Sequence, residues 1–118
     1  MKNFKSFKNL KICVIGLGYV GLPLAISLTK KFKIIAYDIN LKRINDLKKF
    51  KDITNEINTK KLKSAKNKIT FTNNFDYLED CNVFIITVPT PITERNKPDL
   101  RSIINVAKKL SNLIKKKS

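Results

Sequence analysis

The sequence contains no histidine and no tryptophan, and its 118 residues include only two cysteines, three glycines and one methionine. Without histidine, neither a Cys–His nucleophile pair nor a histidine metal ligand can form, and two cysteines cannot build a disulfide framework. Cys13 lies inside one apolar run and Cys81 opens another. We therefore expect both to be small buried hydrophobic residues of a protein in the reducing cytoplasm, and we predict no metal site.

Acidic residues are also scarce. Nine Asp and Glu stand against 25 Lys and Arg, which gives a formal net charge of +16 at pH 7. Nucleic-acid-binding surfaces favour clustered arginines with exposed aromatic residues, whereas the lysines here are spread along the chain and arginine occurs only at positions 43, 95 and 101. We interpret the lysines as a solvated surface that attracts anions in general, and we predict no specific nucleic-acid partner.

The longest uncharged stretch, Ile12 to Thr29, follows several lysines and resembles a membrane or export segment. All three glycines and Pro23 fall inside it, and each glycine weakens a helix by about 1 kcal/mol relative to alanine. No small-residue cleavage pattern follows the stretch. We therefore expect no membrane segment, and instead a strand, a turn and a helix in succession.

The glycines of this stretch form the pattern Gly16-x-Gly18-x-x-Gly21 directly after the apolar run Ile12–Ile15. In a strand–turn–helix of this kind, the first glycine permits a sharp turn and the second lets a pyrophosphate approach the backbone. The third lets the helix pack closely on its neighbour. The unpaired N–H groups and the positive dipole end at the helix start would hold the pyrophosphate. The pattern predicts a dinucleotide site.

An acidic residue follows at the spacing that this motif requires. A second β-like run, Lys33 to Tyr37, ends at Asp38, 22 positions after Gly16. Dinucleotide-binding units place a ribose-binding carboxylate about 20 residues after the glycines. The alternative is a turn without a ligand and an Asp38 that only caps the next helix.

The rest of the chain alternates between helical and β-type patterns. We predict a helix over Asn40–Phe50 capped by Asn40, a helix within 51–68, and a helix from Asp99 onward whose apolar side includes Ile104 and Ile114. We also predict a turn of helix over Asn73–Asp80 and strands at Ile69–Thr72 and Val83–Val88, the last covered on both faces of the sheet. This alternation predicts an α/β fold: a Rossmann-like open parallel sheet of about four strands in the order 3-2-1-4, with helices on both faces. We expect residues 1–9 to form a basic arm, and residues 10–118 to form a partial dinucleotide-binding domain.

In that order the fourth strand lies beside the first, on the side away from the second. Its carboxyl end, Val88-Pro89-Thr90, then borders the same crevice as the glycine turn, where ligands bind in such sheets. Thr87 and Thr90 become candidate contacts to the ribose or nicotinamide side of a cofactor. The alternative is that the two prolines simply end the strand.

Together these stretches resemble the N-terminal NAD-binding domain of the UDP-glucose/GDP-mannose (nucleotide-sugar) 6-dehydrogenase family. The likeness is strongest to the UDP-N-acetylhexosamine dehydrogenases of capsule and O-antigen synthesis. The matching segments are K-I-C-V-I-G-L-G-Y-V-G-L-P-L-A, A-Y-D-I-N-x-x-R-I, D-I-T-N-E-I, C-N-V-F-I-I-T-V-P-T-P-I-T and K-P-D-L, in family order from Lys11 to about Leu110. G-Y-V-G-L-P together with V-P-T-P is much more specific than the glycines alone.

The resemblance implies a set of cofactor-binding residues and NAD as the cofactor. Asp38 would hold the adenosine ribose, Arg43 matches a basic position that contacts the same ribose, and Asp38 should disfavour the 2′-phosphate of NADP, although Lys42 and Arg43 weaken that argument. The implied cofactor-binding residues are Gly16, Leu17, Gly18, Tyr19, Val20, Gly21, Asp38, Arg43, Val88, Pro89 and Thr90.

Two departures from the family pattern matter. Phe50 stands where the family usually has glycine, so we expect the link after the second helix to be rebuilt. The chain also ends where a fifth strand would begin, before the domain that in the family supplies the nucleophilic cysteine, the lysine, the asparagine and most UDP-sugar contacts. Neither Cys13 nor Cys81 matches that cysteine, so no catalytic residue is assigned.

We therefore expect the NAD-binding portion of an enzyme that oxidises the C6 alcohol of a UDP-sugar to a carboxylate. On its own this portion would bind NAD, and it would meet a UDP-sugar only with the missing domain. The exposed sheet edge would leave it prone to self-association. The alternatives are a non-enzymatic basic module that binds nucleic acid or senses nucleotides, and a gene remnant without function.

Overall fold

A computed structural model of the protein describes residues 10–89 and 91–117. The predicted basic arm over residues 1–9 lies outside them. The elements in chain order are β1 (Ile12–Ile15), α1 (Gly21–Leu28), β2 (Ile34–Tyr37), α2 (Leu41–Lys48), α3 (Thr59–Ala65), β3 (Ile69–Thr72), a 3-10 helix (Phe75–Asp80), β4 (Val83–Ile86) and α4 (Arg101–Lys117).

The four strands form one parallel sheet in the order β3-β2-β1-β4. In the centre of the sheet, Val14 of β1 lies opposite Ala36 of β2 on one side and Ile85 of β4 on the other. The predicted fold class and strand order are therefore confirmed. All four strands end at the same edge, which brings the glycine turn after β1 beside the segments that follow β2 and β4.

One face of the sheet carries the larger core. Its buried side chains come from alternate positions of the strands and from one side of each of α1, α2 and α3, including Leu22, Ile44 and Leu62. Asn40 caps α2, as predicted, because its side chain accepts a hydrogen bond from the backbone N–H of Arg43 at 3.2 Å. The short helix predicted within 51–68 spans Thr59–Ala65, and a loop over 51–58 precedes it.

Phe50 ends α2 in the left-handed backbone conformation, with φ of 63°. The N–H of Phe50 donates to the carbonyl of Leu47 at 2.9 Å, and the N–H of Lys51 donates to that of Asp46 at 2.9 Å. This pair of bonds is a Schellman helix end, in which glycine normally takes the left-handed position. Phe50 thus adopts the backbone conformation that glycine normally has at such a helix end. Its ring packs against the larger core.

The opposite face has a smaller core, covered by the 3-10 helix and α4. Cys13, Leu78 and Leu113 are buried there, and the rings of Tyr37 and Phe75 meet edge to face at 5.2 Å. Hydrogen bonding to Cys81 and burial raise the pKa of the Cys13 thiol, which keeps it protonated. Both cysteines are buried, as predicted, and neither forms a disulfide.

The prediction for β4 was wrong in two respects. The strand stops at Ile86 rather than Val88, and its residues are only half-buried instead of covered on both faces. The reason is its position, because within the described residues no strand pairs with its outer edge. On α4, Ile104 and Ile114 of the predicted apolar side are about half exposed. No helix among the described residues has the length and apolar character needed to cross a membrane.

Candidate functional site

The glycine turn leaves β1 and packs against the end of β4. Gly16 has φ of +100°, a backbone conformation that residues other than glycine rarely adopt. Its N–H donates to the carbonyl of Tyr37 at 2.8 Å. A Cβ at Gly16 would come within 2.9 Å of the Thr87 backbone. The sequence therefore needs its first glycine both for the turn and for close approach to β4.

The other two glycines have opposite surroundings. A Cβ at Gly21 would overlap the carbonyl oxygen of Gly16 and the hydroxyl of Thr87, so the start of α1 lies directly on the turn. A Cβ at Gly18 would meet nothing within 4 Å. The backbone at Gly18 is thus open to approach from outside, as the motif predicts for a pyrophosphate contact.

Asp38 lies against the turn. Its Oδ2 accepts a hydrogen bond from the N–H of Leu17 at 2.9 Å, and its Oδ1 accepts from the N–H of Asn40 at 2.9 Å. Because Asn40, and not Asp38, caps α2, the alternative in which Asp38 only caps the next helix is wrong. A carboxylate therefore lies beside the first peptide group of the glycine turn, between Gly16 and Leu17.

Side chains hold the first two peptide groups of the turn. The Thr87 hydroxyl donates to the carbonyl of Gly16 at 2.6 Å, while Asp38 accepts from Leu17 N–H at the other end of that peptide. The next carbonyl, that of Leu17, accepts from Nε and Nη2 of Arg43 at 2.8 and 2.6 Å. Leu17 is fully buried, and both of its backbone groups are engaged within the protein.

Arg43 in turn binds Asp52, a residue to which the sequence assigned no role. Nη1 of Arg43 lies 2.7 Å from Oδ1 of Asp52, whose side chain is fully buried. Asp52 also accepts hydrogen bonds from the N–H and hydroxyl of Thr54 and from the N–H groups of Glu56 and Ile57. Burial alone would raise the pKa of Asp52, but these bonds and the one from Arg43 outweigh it and lower the pKa to about 2.

The amide groups that follow Leu17 are placed differently. Among the described residues, none accepts a hydrogen bond from the N–H of Gly18, Tyr19 or Val20, and no side chain caps the start of α1. The side chains of Tyr19 and Val20 are 69% and 68% exposed. This helix start combines open N–H donors with the positive end of the helix dipole, which together favour an anion.

A cavity of about 690 Å³ lies above the carboxyl ends of β1 and β2. Of the predicted site residues, it is lined by Gly16, Leu17, Gly18, Asp38, Val88 and Pro89. Tyr19, Val20, Gly21 and Arg43 are not among the lining residues, and Thr90 lies outside the described residues. Thr87 does not line the cavity either, since its hydroxyl is directed at the carbonyls of Ile15 and Gly16.

The far wall of this cavity is formed by α4, which the sequence did not assign to the site. Asn105, Lys108 and Lys109 contribute polar and basic groups, and the ammonium of Lys109 lies 5.6 Å from the centre of the Phe75 ring. Helical spacing predicted the apolar side of α4 but could not show which of its polar positions line the cavity. The two lysines place positive charge beside the crevice.

A family model described as the UDP-glucose/GDP-mannose dehydrogenase family, NAD binding domain, matches residues 10–118. A UDP-N-acetyl-D-glucosamine 6-dehydrogenase from Pseudomonas aeruginosa is 45% identical over 109 residues, which are 92% of this chain and 26% of that protein. Protein CapL from Staphylococcus aureus is 43% identical over 90% of this chain and 24% of its own length. The chain thus spans about a quarter of the length of these relatives.

Solved structures show the same likeness. A UDP-D-ManNAc dehydrogenase from Pyrococcus horikoshii superposes with a TM-score of 0.80 at 30% identity, covering 88% of this chain and 26% of that one. A ternary complex of GDP-mannose dehydrogenase from Pseudomonas aeruginosa gives a TM-score of 0.73 at 25% identity, over 80% of this chain and 23% of that one. The comparisons give no support to the nucleic-acid alternative. The predicted family and its cofactor, NAD, are confirmed: this chain belongs to the UDP-glucose/GDP-mannose dehydrogenase family, within its NAD binding domain.

Proposed function

We propose that this chain binds NAD in the crevice between the glycine turn and the segment after β4. In a complete enzyme of the family it would serve the oxidation of the C6 alcohol of a UDP-sugar to a carboxylate. The observation that carries the proposal is the contact between the Asp38 carboxylate and the Leu17 N–H at 2.9 Å, at the mouth of a cavity of about 690 Å³. Bound NAD supplies the acceptor for the hydride that leaves such an alcohol.

The pyrophosphate would be held by backbone amides. The N–H groups of Gly18, Tyr19 and Val20 are the open donors of the turn, and the free space at Gly18 admits phosphate oxygens to the backbone. Leu17 takes part through its position alone, because its N–H and carbonyl are already engaged by Asp38 and Arg43. Gly16 and Gly21 give the turn its shape.

The adenosine ribose would bind at Asp38. Each carboxylate oxygen accepts one backbone hydrogen bond and keeps a further lone pair, so the group can still accept from two ribose hydroxyls. Val88 and Pro89 offer an apolar surface across the cavity, and Thr90 remains a sequence prediction. We propose that the residues that bind the UDP-sugar and react with it lie in the part of such enzymes that this chain does not match.

Isothermal titration of NAD into the wild-type chain and an Asp38→Asn variant tests this proposal. Asparagine keeps one acceptor for the Leu17 N–H but loses the charge and an acceptor for the ribose, so we expect NAD affinity to fall by about tenfold or more. Asp80→Ala is the matched control, because that exposed carboxylate lies before β4, at the opposite end of the sheet. A folded wild-type chain that binds no NAD would overturn the proposal.

A further inference from the structure

Asp38 and Arg43 act on the two sides of one residue. Asp38 accepts from the N–H of Leu17, and the guanidinium of Arg43 donates to the carbonyl of Leu17. A carboxylate beside the adenosine ribose favours NAD, whereas an arginine at the same place accommodates the 2′-phosphate of NADP. The chain therefore holds a carboxylate and an arginine beside the same glycine turn.

In this structure each of the three guanidinium nitrogens of Arg43 donates a hydrogen bond within the protein. Nε and Nη2 donate to the carbonyl of Leu17, Nη1 donates to Asp52, and only 11% of the side chain is exposed. Arg43 is also absent from the residues that line the cavity. To turn its guanidinium towards a 2′-phosphate in the cavity, Arg43 would have to leave Asp52 or Leu17.

Asp52 holds this position independently of Arg43. Its carboxylate accepts four further hydrogen bonds from Thr54, Glu56 and Ile57, all within its own loop. The low pKa of Asp52 keeps it ionised at neutral pH. Asp52 is therefore a fixed anion that contacts Arg43 and does not line the cavity.

We propose that Asp52 is a positioning residue for cofactor specificity: by holding Arg43 against the Leu17 carbonyl, it withholds the guanidinium from a 2′-phosphate. This inference rests on the proposed binding of NAD at the crevice. Asp52 itself does not line the cavity. The preference for NAD then comes from two acids, Asp38 at the ribose and Asp52 behind the arginine.

The test compares NAD with NADP in titrations of the wild-type chain, Asp52→Asn and the double variant Asp52→Asn/Arg43→Met. With Asp52 neutral, Arg43 is free to turn towards the phosphate, and we expect the NADP-to-NAD affinity ratio to rise by about tenfold. The double variant should lose that rise, because the group that moves is gone. Asp52→Asn/Lys42→Met should keep it, which shows that the neighbouring exposed lysine is not responsible.

A loss of packing alone would weaken both cofactors by the same factor and leave the ratio unchanged, and that result would overturn the inference while leaving NAD binding intact. A rise that persists without Arg43 would also overturn it. Failure of the wild-type chain to bind NAD would instead remove the proposed function.

Arg43→Met gives a second test that does not depend on whether Asp52→Asn folds, since Asp52 keeps four hydrogen bonds in that variant. If Arg43 is withheld from the phosphate in the wild-type chain, its removal should weaken NAD and NADP equally. A selective loss of NADP binding would show that Arg43 already reaches the phosphate and would overturn the inference.

Discussion

Two arginine–aspartate pairs with nearly the same closest N–O distance occupy contrasting regions of this molecule. Arg43 and Asp52 meet at 2.7 Å beneath the glycine turn, and Arg101 and Asp99 meet at 2.6 Å at the start of α4. In both pairs hydrogen bonds lower the pKa of the aspartate to about 2, against burial at Asp52 and mainly through Arg101 at Asp99. The side chains of the first pair are 11% and 0% exposed, and those of the second are 86% and 17% exposed.

A short N–O distance therefore does not measure how much an ion pair contributes to the stability of the fold. At the surface, water competes for each partner and salt screens the charges, so the Arg101–Asp99 pair adds little. Beneath the turn both partners have lost most of their water, so removal of Asp52 leaves the Arg43 cation buried without its counter-charge. The buried pair also connects the 51–58 loop to the glycine turn, whereas Arg101 and Asp99 are only two residues apart.

Removal of the buried carboxylate should have the largest effect. Asp52→Ala strands the Arg43 cation and leaves the hydroxyl and N–H of Thr54 and the N–H groups of Glu56 and Ile57 without their acceptor. We expect the free energy of unfolding to fall by about 3–5 kcal/mol, measured by urea denaturation. Asp99→Ala is the matched control and should leave the denaturation midpoint unchanged. Equal losses in the two variants would contradict the comparison.

An added methyl group should destabilise the fold at the packed end of the turn, Gly21, but not at its open position, Gly18. In Gly21→Ala the new carbon overlaps the Gly16 carbonyl and the Thr87 hydroxyl, and we expect a loss of about 2–3 kcal/mol in unfolding free energy. In Gly18→Ala the carbon enters free space, so stability should change by less than about 0.5 kcal/mol.

Titration of NAD into Gly18→Ala completes this pair, because the methyl group occupies the space proposed for the pyrophosphate and should weaken binding without unfolding the chain. If Gly18→Ala instead lost stability while Gly21→Ala did not, the described packing would be wrong.

Acid should weaken the buried pair in a defined pH window. The pKa of Asp52 is lowered from 3.8 to about 2 in the folded protein, so its contribution is fully present above pH 4 and is lost as the pH falls towards 2. The shift corresponds to about 2 kcal/mol of unfolding free energy. Unfolding curves measured from pH 5 to about pH 2 should show this loss in the wild type. Asp52→Asn should show a shallower dependence.

Phe50 offers the smallest and most local test. An L-residue in the left-handed conformation is strained by about 1–2 kcal/mol, and glycine is not. Phe50→Gly and Phe50→Ala both lose the ring, but only glycine relieves the backbone, so the glycine variant should be the more stable by about 1 kcal/mol in urea denaturation. Lys48 in α2 is the control position. There the alanine variant should be more stable than the glycine variant by about 1 kcal/mol, because glycine is the weaker helix former. The same order at both positions would contradict the described helix end.

The sequence predicted those features that depend on local pattern. Ile69–Thr72 forms the predicted strand because its β-branched and aromatic residues are bounded by polar ones, and Asn40 caps α2 through the backbone next to it. The strand order followed from the alternation of strands and helices together with the handedness of their crossovers. The contact between Asp38 and the turn followed from the same order, which makes β1 and β2 neighbours.

What the sequence could not predict depends on tertiary position. Asp52 was part of a family segment, yet its role exists only because α2 brings Arg43 between it and Leu17. Strand β4 ended earlier than its apolar run because it lies at the sheet edge and Thr87 turns to the glycine turn. The lysines of α4 that border the cavity are spaced along the sequence like the lysines that face only solvent. No local sequence signal therefore distinguishes the two groups.

The engagement of Leu17 on both sides bears on how a ligand would be received. Two consecutive peptide planes of the turn are fixed by Thr87, Asp38 and Arg43 before any cofactor arrives. An anion that docks on the following amides meets donors whose orientation is already set, so little conformational entropy is lost on association. Side chains that follow β4 and β2, together with Arg43 of α2, thus preorganise the turn for an anion.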